Sequence, residues 1–302
     1  DEDIRQAIEF MPQNSICYTM LGYIKFLSQD YKSAVENFKF AINNDINKTP
    51  ELIYFCALSY FYLEDYLAAE KFFTRAIELS FESIEALYSR AFCFFKLKQY
   101  DKAIACFSEV LEKDNSFTDA YFYRGVSYIN EHKFENAYND FEEAINKNYL
   151  PGESNFYMGI CNLNDKKYKE ALNNFNSAVA NDYTGTDVLK NRAKILNELG
   201  KYEKALDDCD EVIKANNDDI ESLILRAHIY ANLRMFDEAD QDISQVLTLS
   251  PDNQESLFLK IKLTFLQQKY NEVIERSTQI LNNSYNFEIL QLRAQSYEKL
   301  DL

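Results

Sequence analysis

The sequence predicts an all-α protein built from tandem helical hairpins, and three features lead to this prediction. Small residues recur in steps of 34 or 35 residues along the whole chain. Within each step, apolar residues follow the i, i+3, i+4 and i+7 spacing of an amphipathic helix. Only 6 glycines and 4 prolines interrupt the 302 residues, far fewer than the turns of a β-sandwich need.

Three residue series define the repeat. A series of small residues reads Ala34, Ala69, Ala103, Ala137, Ala171, Ala205, Ala239 and Val273. Four residues later stand Phe38, Phe73, Phe107, Phe141, Phe175, Cys209, Ile243 and Ser277. Twelve residues before the first series stand Gly22, Ala57, Ala91, Gly125, Gly159, Ala193, Ala227 and Ile261. Small residues let two helices approach closely and a large residue fills the space beside them, so the series predict how the paired helices pack.

The elements follow in order from this register. We predict a helix at about 2–11, full repeats starting near residues 15, 50, 84, 118, 152, 186, 220 and 254, and a closing helix at about 287–300. A short polar turn with one aromatic residue separates the two helices of each repeat, as at Tyr66. Thr49 and Pro50 predict an N-cap and the first residue of a helix. We expect residues 1–302 to form a single array, which continues upstream because the helix at 2–11 has no partner.

The order of a bulky residue, Gly or Ala, Tyr, and then Ala-x3-Phe resembles the tetratricopeptide repeat. The fourth repeat carries it as Tyr121, Gly125, Tyr128, Phe134, Ala137, Phe141 and Ala144. The resemblance covers essentially the whole chain, although tryptophan is absent and Tyr18, Ile53, Leu87 and Tyr121 take its usual place. It implies a right-handed superhelical α-solenoid of helix-turn-helix repeats, in which the first helix of each pair lines a concave groove that holds a peptide or partner helix.

The first helices of the N-terminal half offer aromatic and aliphatic side chains to such a groove. The predicted partner-binding residues are Tyr23, Phe26, Tyr54, Leu58, Phe61, Tyr62, Tyr88, Phe92, Phe95, Phe122 and Val126. Buried aromatic anchors often dominate the energy of binding. The alternative is that many of these rings pack between neighbouring helices.

The sixth and seventh repeats change character. Their first helices place Lys190, Asn191, Lys194, Asn197 and His228 on the same predicted face. Ammonium and amide groups can grip a carboxylate, so these residues form a candidate polar pocket, with a solvated polar face as the alternative. Chaperone-binding members of the resembled family hold a terminal carboxylate with a lysine and asparagine clamp. That clamp is incomplete in this sequence, because Glu221 and Leu225 stand where the clamp needs polar side chains that bind the carboxylate.

Charge limits the partners. The chain has 32 basic and 49 acidic residues and a net charge of −17, which disfavours nucleic acid and anionic membranes. No apolar run approaches the roughly 20 residues that cross a bilayer. We therefore expect a protein partner, a peptide or helix that is apolar and can also be basic.

Acidic and basic residues recur in register with the repeat. Acids begin the first helices at Glu51, Glu85, Asp119, Glu153, Asp187, Glu221, Glu255 and Glu288. They can attract a basic peptide, but stabilisation by the helix dipole is the favoured explanation. Arginines recur at Arg90, Arg124, Arg192, Arg226 and Arg293. Each is expected to pair with a carboxylate of a neighbouring repeat.

The sequence offers little for catalysis. His132 and His228 are the 2 histidines of the chain and lie about three repeats apart, so they predict neither a local catalytic couple nor a metal site. No phosphate-binding glycine motif occurs. We predict no catalytic residue, cofactor or metal.

The 6 cysteines lack CxxC spacing and are expected to be buried thiols in a reducing compartment. The cytoplasm is favoured, with the cilium, cytoskeleton or nucleus as alternatives.

These observations favour a non-enzymatic scaffold or adaptor that binds a partner in the concave groove, within a larger complex. Two alternatives remain open. The chain can be a regulatory or substrate-recruiting segment of a longer enzyme or co-chaperone. It can also be a structural subunit of a cytoskeletal, ciliary or transport assembly.

Overall fold

The computed structural model describes residues 2–44, 49–281 and 286–302, and every regular element in these ranges is an α-helix. In chain order the helices are α1 (Glu2–Phe10), α2 (Ser15–Leu27), α3 (Tyr31–Asn44), α4 (Pro50–Tyr62), α5 (Tyr66–Glu78), α6 (Ile84–Lys96), α7 (Tyr100–Lys113), α8 (Thr118–Asn130), α9 (Phe134–Asn146), α10 (Pro151–Asn164), α11 (Tyr168–Ala180), α12 (Thr186–Glu198), α13 (Tyr202–Ala215), α14 (Ile220–Asn232), α15 (Phe236–Leu249), α16 (Gln254–Leu266), α17 (Tyr270–Leu281) and α18 (Phe287–Lys299). The all-α prediction is therefore confirmed. None of these helices is long and apolar enough to cross a membrane.

The chain divides into two compact units, Asp1–Lys167 and Tyr168–Leu302. In the first unit, α2 packs on α3, α4 on α5, α6 on α7 and α8 on α9. In the second unit, α12 packs on α13, α14 on α15, and α17 on both α16 and α18. The boundary falls in the turn between α10 and α11, inside the predicted fifth repeat. That residues 1–302 form a single array stays a prediction.

The turns inside the hairpins each hold one residue in the left-handed backbone region. These residues are Gln29, Glu64, Lys98, His132, Lys166, Gly200, Arg234 and Gln268, and only Gly200 is a glycine. In the first turn, the amide of Asp30 donates to the carbonyl of Lys25 at 2.9 Å and so satisfies a carbonyl at the end of α2. A non-glycine residue pays roughly 1 kcal/mol for this conformation, and the hydrogen bonds of the turn offset it.

The predicted packing of the paired helices is confirmed. The eight residues from Ala34 to Val273 that form the first series are fully buried, and so are the five phenylalanines that follow them in repeats one to five. A Cβ atom added to Gly22 would lie 2.5 Å from the ring of Phe38, and one added to Gly125 would lie 2.9 Å from the ring of Phe141. The helices of these two pairs therefore approach as closely as a glycine permits.

Repeat eight reverses the sizes of the two packing residues. The usual small residue of its first helix is Ile261, which is buried with Val273 and Ile289. The usual large residue of its second helix is Ser277, which is also fully buried and donates its hydroxyl hydrogen bond to the carbonyl of Val273 at 2.5 Å. The larger residue on one helix accompanies a smaller one on the other, and both positions stay buried.

Buried arginine and aspartate pairs connect the two helices of a repeat. Arg192 binds Asp208 through two nitrogens at 2.8 and 2.5 Å. Two further pairs have the same bidentate geometry, Arg124 with Asp140 and Arg226 with Asp242. The prediction that each arginine pairs with a carboxylate of a neighbouring repeat is wrong for Arg124 and Arg192, because the aspartate lies 16 residues later in the same repeat. It is confirmed for Arg226, which forms a second ion pair with Asp210 of the preceding repeat.

The third nitrogen of each of these arginines does reach the preceding repeat. Nη1 of Arg124 donates to Ser108 at 3.0 Å, and Nη1 of Arg226 donates to Asp210 at 2.6 Å. Nη1 of Arg192 donates to Asn176 at 3.3 Å. Each guanidinium thus joins three helices with one rigid plane of donors.

Arg90 lacks the aspartate that its counterparts have. The residue 16 positions later is Cys106, and the buried Nε of Arg90 has no hydrogen-bond partner among the described residues. Within the described part of the chain, its one ion pair is with the more exposed Glu109 at 3.3 Å. The guanidinium of the third repeat is therefore buried with only part of its hydrogen bonding satisfied.

Removing a buried aspartate should destabilise the second unit. Asp208→Ala leaves the half-buried guanidinium of Arg192 without its carboxylate and should lower the free energy of unfolding by about 3 kcal/mol. Asp207→Ala removes the adjacent exposed carboxylate and should change it by less than about 0.5 kcal/mol. Urea unfolding followed by far-ultraviolet circular dichroism measures both. Equal midpoints for the two variants would show that the pair contributes nothing.

Supplying the missing aspartate should stabilise the third repeat. Cys106→Asp gives Arg90 a partner in the position used by three other repeats, and we expect a gain of about 1 kcal/mol and a higher melting temperature. Cys106→Asn has the same shape without the charge and should gain less. In an Arg90→Met background, Cys106→Asp should instead destabilise the protein, because it buries an unpaired carboxylate. If Cys106→Asp stabilised the protein in the Arg90→Met background, the proposed pairing of the new aspartate with Arg90 would be wrong.

Candidate functional site

The predicted groove residues of the first unit lie on the first helices α2, α4, α6 and α8. Nine of them are half-buried, with part of each side chain at the surface. Tyr62 is the exposed one, at 53%. Phe122 is only 7% exposed, since its ring packs on Phe141 and Tyr157 at 5.8 Å each. Phe122 therefore belongs to the core and adds little to the surface.

Rings of successive first helices contact one another. Phe61 of α4 lies 5.6 Å from Phe92 of α6, and Phe92 lies 4.9 Å from Tyr123 of α8. Phe26 of α2 lies 5.9 Å from Tyr62 of α4. These centroid distances are those of favourable edge-to-face and tilted ring pairs. The rings thus hold neighbouring repeats together and, with their outer edges, form an apolar first-helix surface.

The sequence prediction missed three aromatic residues in these contacts. Phe55, Tyr123 and Tyr157 each lie two residues before the small residue of a first helix and pack against the preceding repeat. Tyr23, for example, lies 4.8 Å from Phe55. Their common register was a signal in the sequence, but periodicity alone does not say which neighbour a ring contacts.

The acids at the start of the first helices face the preceding repeat. Burial raises the pKa of Tyr88, and a hydrogen bond with Asp119 of the next first helix raises it further. Burial and the carboxylate of Glu85 likewise raise the pKa of Tyr54. These acids therefore interact across repeats, in addition to any stabilisation by their own helix dipole.

The candidate polar pocket of the second unit is assembled, but its lysines already have partners. Lys190 binds Asp219 at 2.6 Å and Glu221 at 3.4 Å, and Lys194 binds Glu221 at 2.5 Å. The hydrogen bond and charge of Lys194 lower the pKa of Glu221. His228 lies 3.4 Å from Glu255.

The two asparagines of this candidate pocket also make internal hydrogen bonds. Asn191 donates to the backbone carbonyl of Asp187 at 2.9 Å. Asn197 accepts from Asn232 at 3.4 Å. An incoming carboxylate would have to compete with these partners, and above all with the three carboxylates that hold Lys190, Lys194 and His228.

A cavity of about 520 Å³ opens beside this cluster. We call it the α12–α14 pocket, and its lining is Lys194, Ile220, Glu221, Ile224, Leu225, His228, Asn253 and Glu255. The side chains come from α12, α14, the first turn of α16 and the residue that caps it. The pocket combines an apolar wall with charged and polar residues, which is the usual composition of a ligand-binding site.

Four acidic residues lie close together on α13, namely Asp207, Asp208, Asp210 and Glu211, and two of them bind arginines. Asp208 binds Arg192 and Asp210 binds Arg226. In the part of the chain that the structure describes, no group of three or more His, Cys, Asp or Glu residues could hold a metal ion.

Models of the tetratricopeptide repeat match residues 50–83, 84–117, 164–220 and 220–253. These matches together cover just over half of the chain. The chain belongs to the tetratricopeptide repeat family. A search of curated protein sequences gave no match.

Solved tetratricopeptide repeat structures share this fold. The C-terminal part of a repeat protein from Cytophaga hutchinsonii is 18% identical, with a TM-score of 0.64 over 80% of this chain and 98% of that one. A repeat protein from Parabacteroides merdae is 20% identical, with a TM-score of 0.56 over 84% and 99%. YrrB, described as having an unusual peptide-binding site, is 22% identical, with a TM-score of 0.56 over 62% and 97%. The family and the fold support a role for the chain as a protein-interaction scaffold.

His228 should titrate below the ordinary histidine value of about 6.5. Burial lowers its pKa, and the carboxylate of Glu255 opposes that effect. The unfolded chain then binds the proton more readily, so stability should fall as the pH drops through about 6.5. Glu255→Gln should lower the pKa of His228 further. Titration of the imidazole NMR signals measures the pKa of His228 in the unaltered protein and in Glu255→Gln. The variant His132→Gln identifies which signals belong to His228. A higher pKa of His228 in Glu255→Gln would contradict this account.

Proposed function

We propose that the chain is a non-enzymatic scaffold or adaptor whose first helices bind an extended peptide or a helix of a partner protein. The supporting observation is the row of half-buried rings on α2, α4, α6 and α8, whose packing holds them rigid while their edges reach the surface. Rigid, preorganised apolar side chains lose little entropy when a partner binds. The description of YrrB as a peptide-binding repeat protein is consistent with such a role.

The most exposed part of this surface lies where two first helices end. Leu27 is the last residue of α2 and is 80% exposed, and Tyr62 is the last residue of α4 and is 53% exposed. The ring of Tyr62 also stacks on Tyr31 at 4.8 Å. An apolar side chain of a partner placed against Leu27 and Tyr62 would remove both from water. We propose this edge as the main apolar contact.

The acids of the same surface define the charge that suits the partner. Glu51 and Glu85 follow the first residue of α4 and α6, remain exposed, and face tyrosine side chains of the preceding repeat. Tyrosine hydroxyls do not neutralise a carboxylate at pH 7. A partner that alternates apolar and basic residues therefore fits the first unit better than an acidic one.

Photo-cross-linking should locate the partner on the first helices. Tyr62 replaced by p-benzoylphenylalanine should cross-link to one protein in an extract of the source cells, and digestion should map the contact to a short segment. Leu67, at the start of the second helix α5, is 52% exposed and provides the matched control. Cross-linking of the same segment from both positions, or from Leu67 alone, would refute binding at the first helices.

The energetic importance of this edge can be tested with the partner so identified. The double variant Leu27→Ala, Tyr62→Ala should weaken binding of the mapped peptide at least about tenfold, since two apolar anchors are lost. Leu67→Ala should leave the affinity unchanged. Circular dichroism should show that all variants stay helical.

A further inference from the structure

The α12–α14 pocket of the second unit carries an inference that rests on the proposed function and deepens it. We propose that this pocket binds an arginine or lysine side chain of the partner protein. Its lining includes Glu255, whose one ion-pair contact within the described residues is with His228, and its volume of about 520 Å³ can hold a long side chain.

The cations near the pocket are already neutralised. Lys190 contacts both Asp219 and Glu221, and Lys194 contacts Glu221. A carboxylate guest would have to displace acids that are held in place by their own helix. Asp219, for example, is the N-cap of α14, and its carboxylate also accepts a hydrogen bond from the backbone amide of Ser222 at 2.9 Å. Binding of an anion is therefore disfavoured.

Glu255 is the pocket carboxylate without a charged partner. Its side chain is 62% exposed, and its one ion-pair contact in the described ranges is with His228 at 3.4 Å. Burial lowers the pKa of His228 by more than Glu255 raises it, which favours the neutral imidazole at pH 7. Lys262 on α16 is exposed and forms no ion pair within the described part of the chain. The charge of Glu255 is therefore available to a cationic guest.

The apolar wall of the pocket matches the rest of a basic side chain. Ile220, Ile224 and Leu225 line one side and can cover the methylene groups of arginine or lysine, while the charged end reaches the carboxylate. A planar guanidinium can in addition stack on the imidazole of His228. The net charge of −17 favours the approach of basic segments.

Capped amino acids test this preference directly. N-acetyl-arginine N-methylamide and the lysine analogue are titrated at low salt and pH 7.5, and the imidazole NMR signals of His228 report binding. The citrulline analogue has nearly the shape of arginine without its charge, and acetate is the anionic probe. We expect saturable shifts at His228 with arginine and lysine, at least about fivefold weaker binding of citrulline, and no saturable shift with acetate.

Two variants assign the effect to Glu255. Glu255→Gln should weaken arginine binding about fivefold. Glu288→Gln changes the acid at the same place on α18, outside the pocket, and should leave binding unchanged. Equal binding of arginine and citrulline, an unaltered affinity in Glu255→Gln, or saturation by acetate instead of arginine would each overturn the proposal.

Failure of this proposal is distinguishable from failure of the proposed function. The cross-linking position Tyr62 lies in the first unit, whereas the probes report on His228 in the second. Loss of the arginine effect with intact cross-linking at Tyr62 would leave the scaffold role standing and remove only the basic-side-chain pocket. Saturable arginine binding without cross-linking would support the pocket and refute the apolar contact in the first unit.

Discussion

The close contact between a small residue on one helix and a large residue on the next is the constraint on which the rest of this structure depends. Where Gly22 meets Phe38 and Gly125 meets Phe141, even one added carbon atom would overlap the ring. Because this contact fixes how far apart the paired helices lie, it also fixes the register of every side chain that points away from it. The core thereby places the surface residues in register, and their own ring contacts and ion pairs then hold them there.

Charged groups then make this register specific. Arg124, Arg192 and Arg226 each bind an aspartate of their own repeat with two nitrogens and a residue of the preceding repeat with the third. A half-buried guanidinium with a fixed fork of donors tolerates little rotation, so a slipped pairing of helices would leave the buried aspartates unpaired. Hydrophobic contacts favour association of the helices, and the arginines select one arrangement of them.

The sequence predicted what its periodicity encodes and little beyond it. The recurring alanines and phenylalanines placed the helices because their interval is fixed by the hairpin itself. The interval did not reveal that Lys98 and His132 adopt left-handed backbone conformations, since seven of the eight turns lack the glycine that would indicate them. It also could not show that Lys190 is paired with Asp219, because that contact joins residues 29 positions apart through the geometry of two repeats.

The second residue of the first helices explains how one scaffold can present different surfaces. It stays acidic in α4, α6, α8, α12, α14 and α16, whereas the residue that faces it from the preceding repeat changes. Beside Glu85 and Asp119 that residue is a tyrosine, which leaves a negative charge next to an apolar ring. Beside Glu221 the residue at the same position is Lys190, and Lys194 one helical turn later also contacts the acid, so its charge is cancelled. The residue that contacts Glu255 is His228, which stands at the position of Lys194 and, as a neutral imidazole, does not cancel the charge. The residues at two positions of one helix therefore set the local charge beside the acid of the next first helix, while the buried contact that positions the helix remains the same.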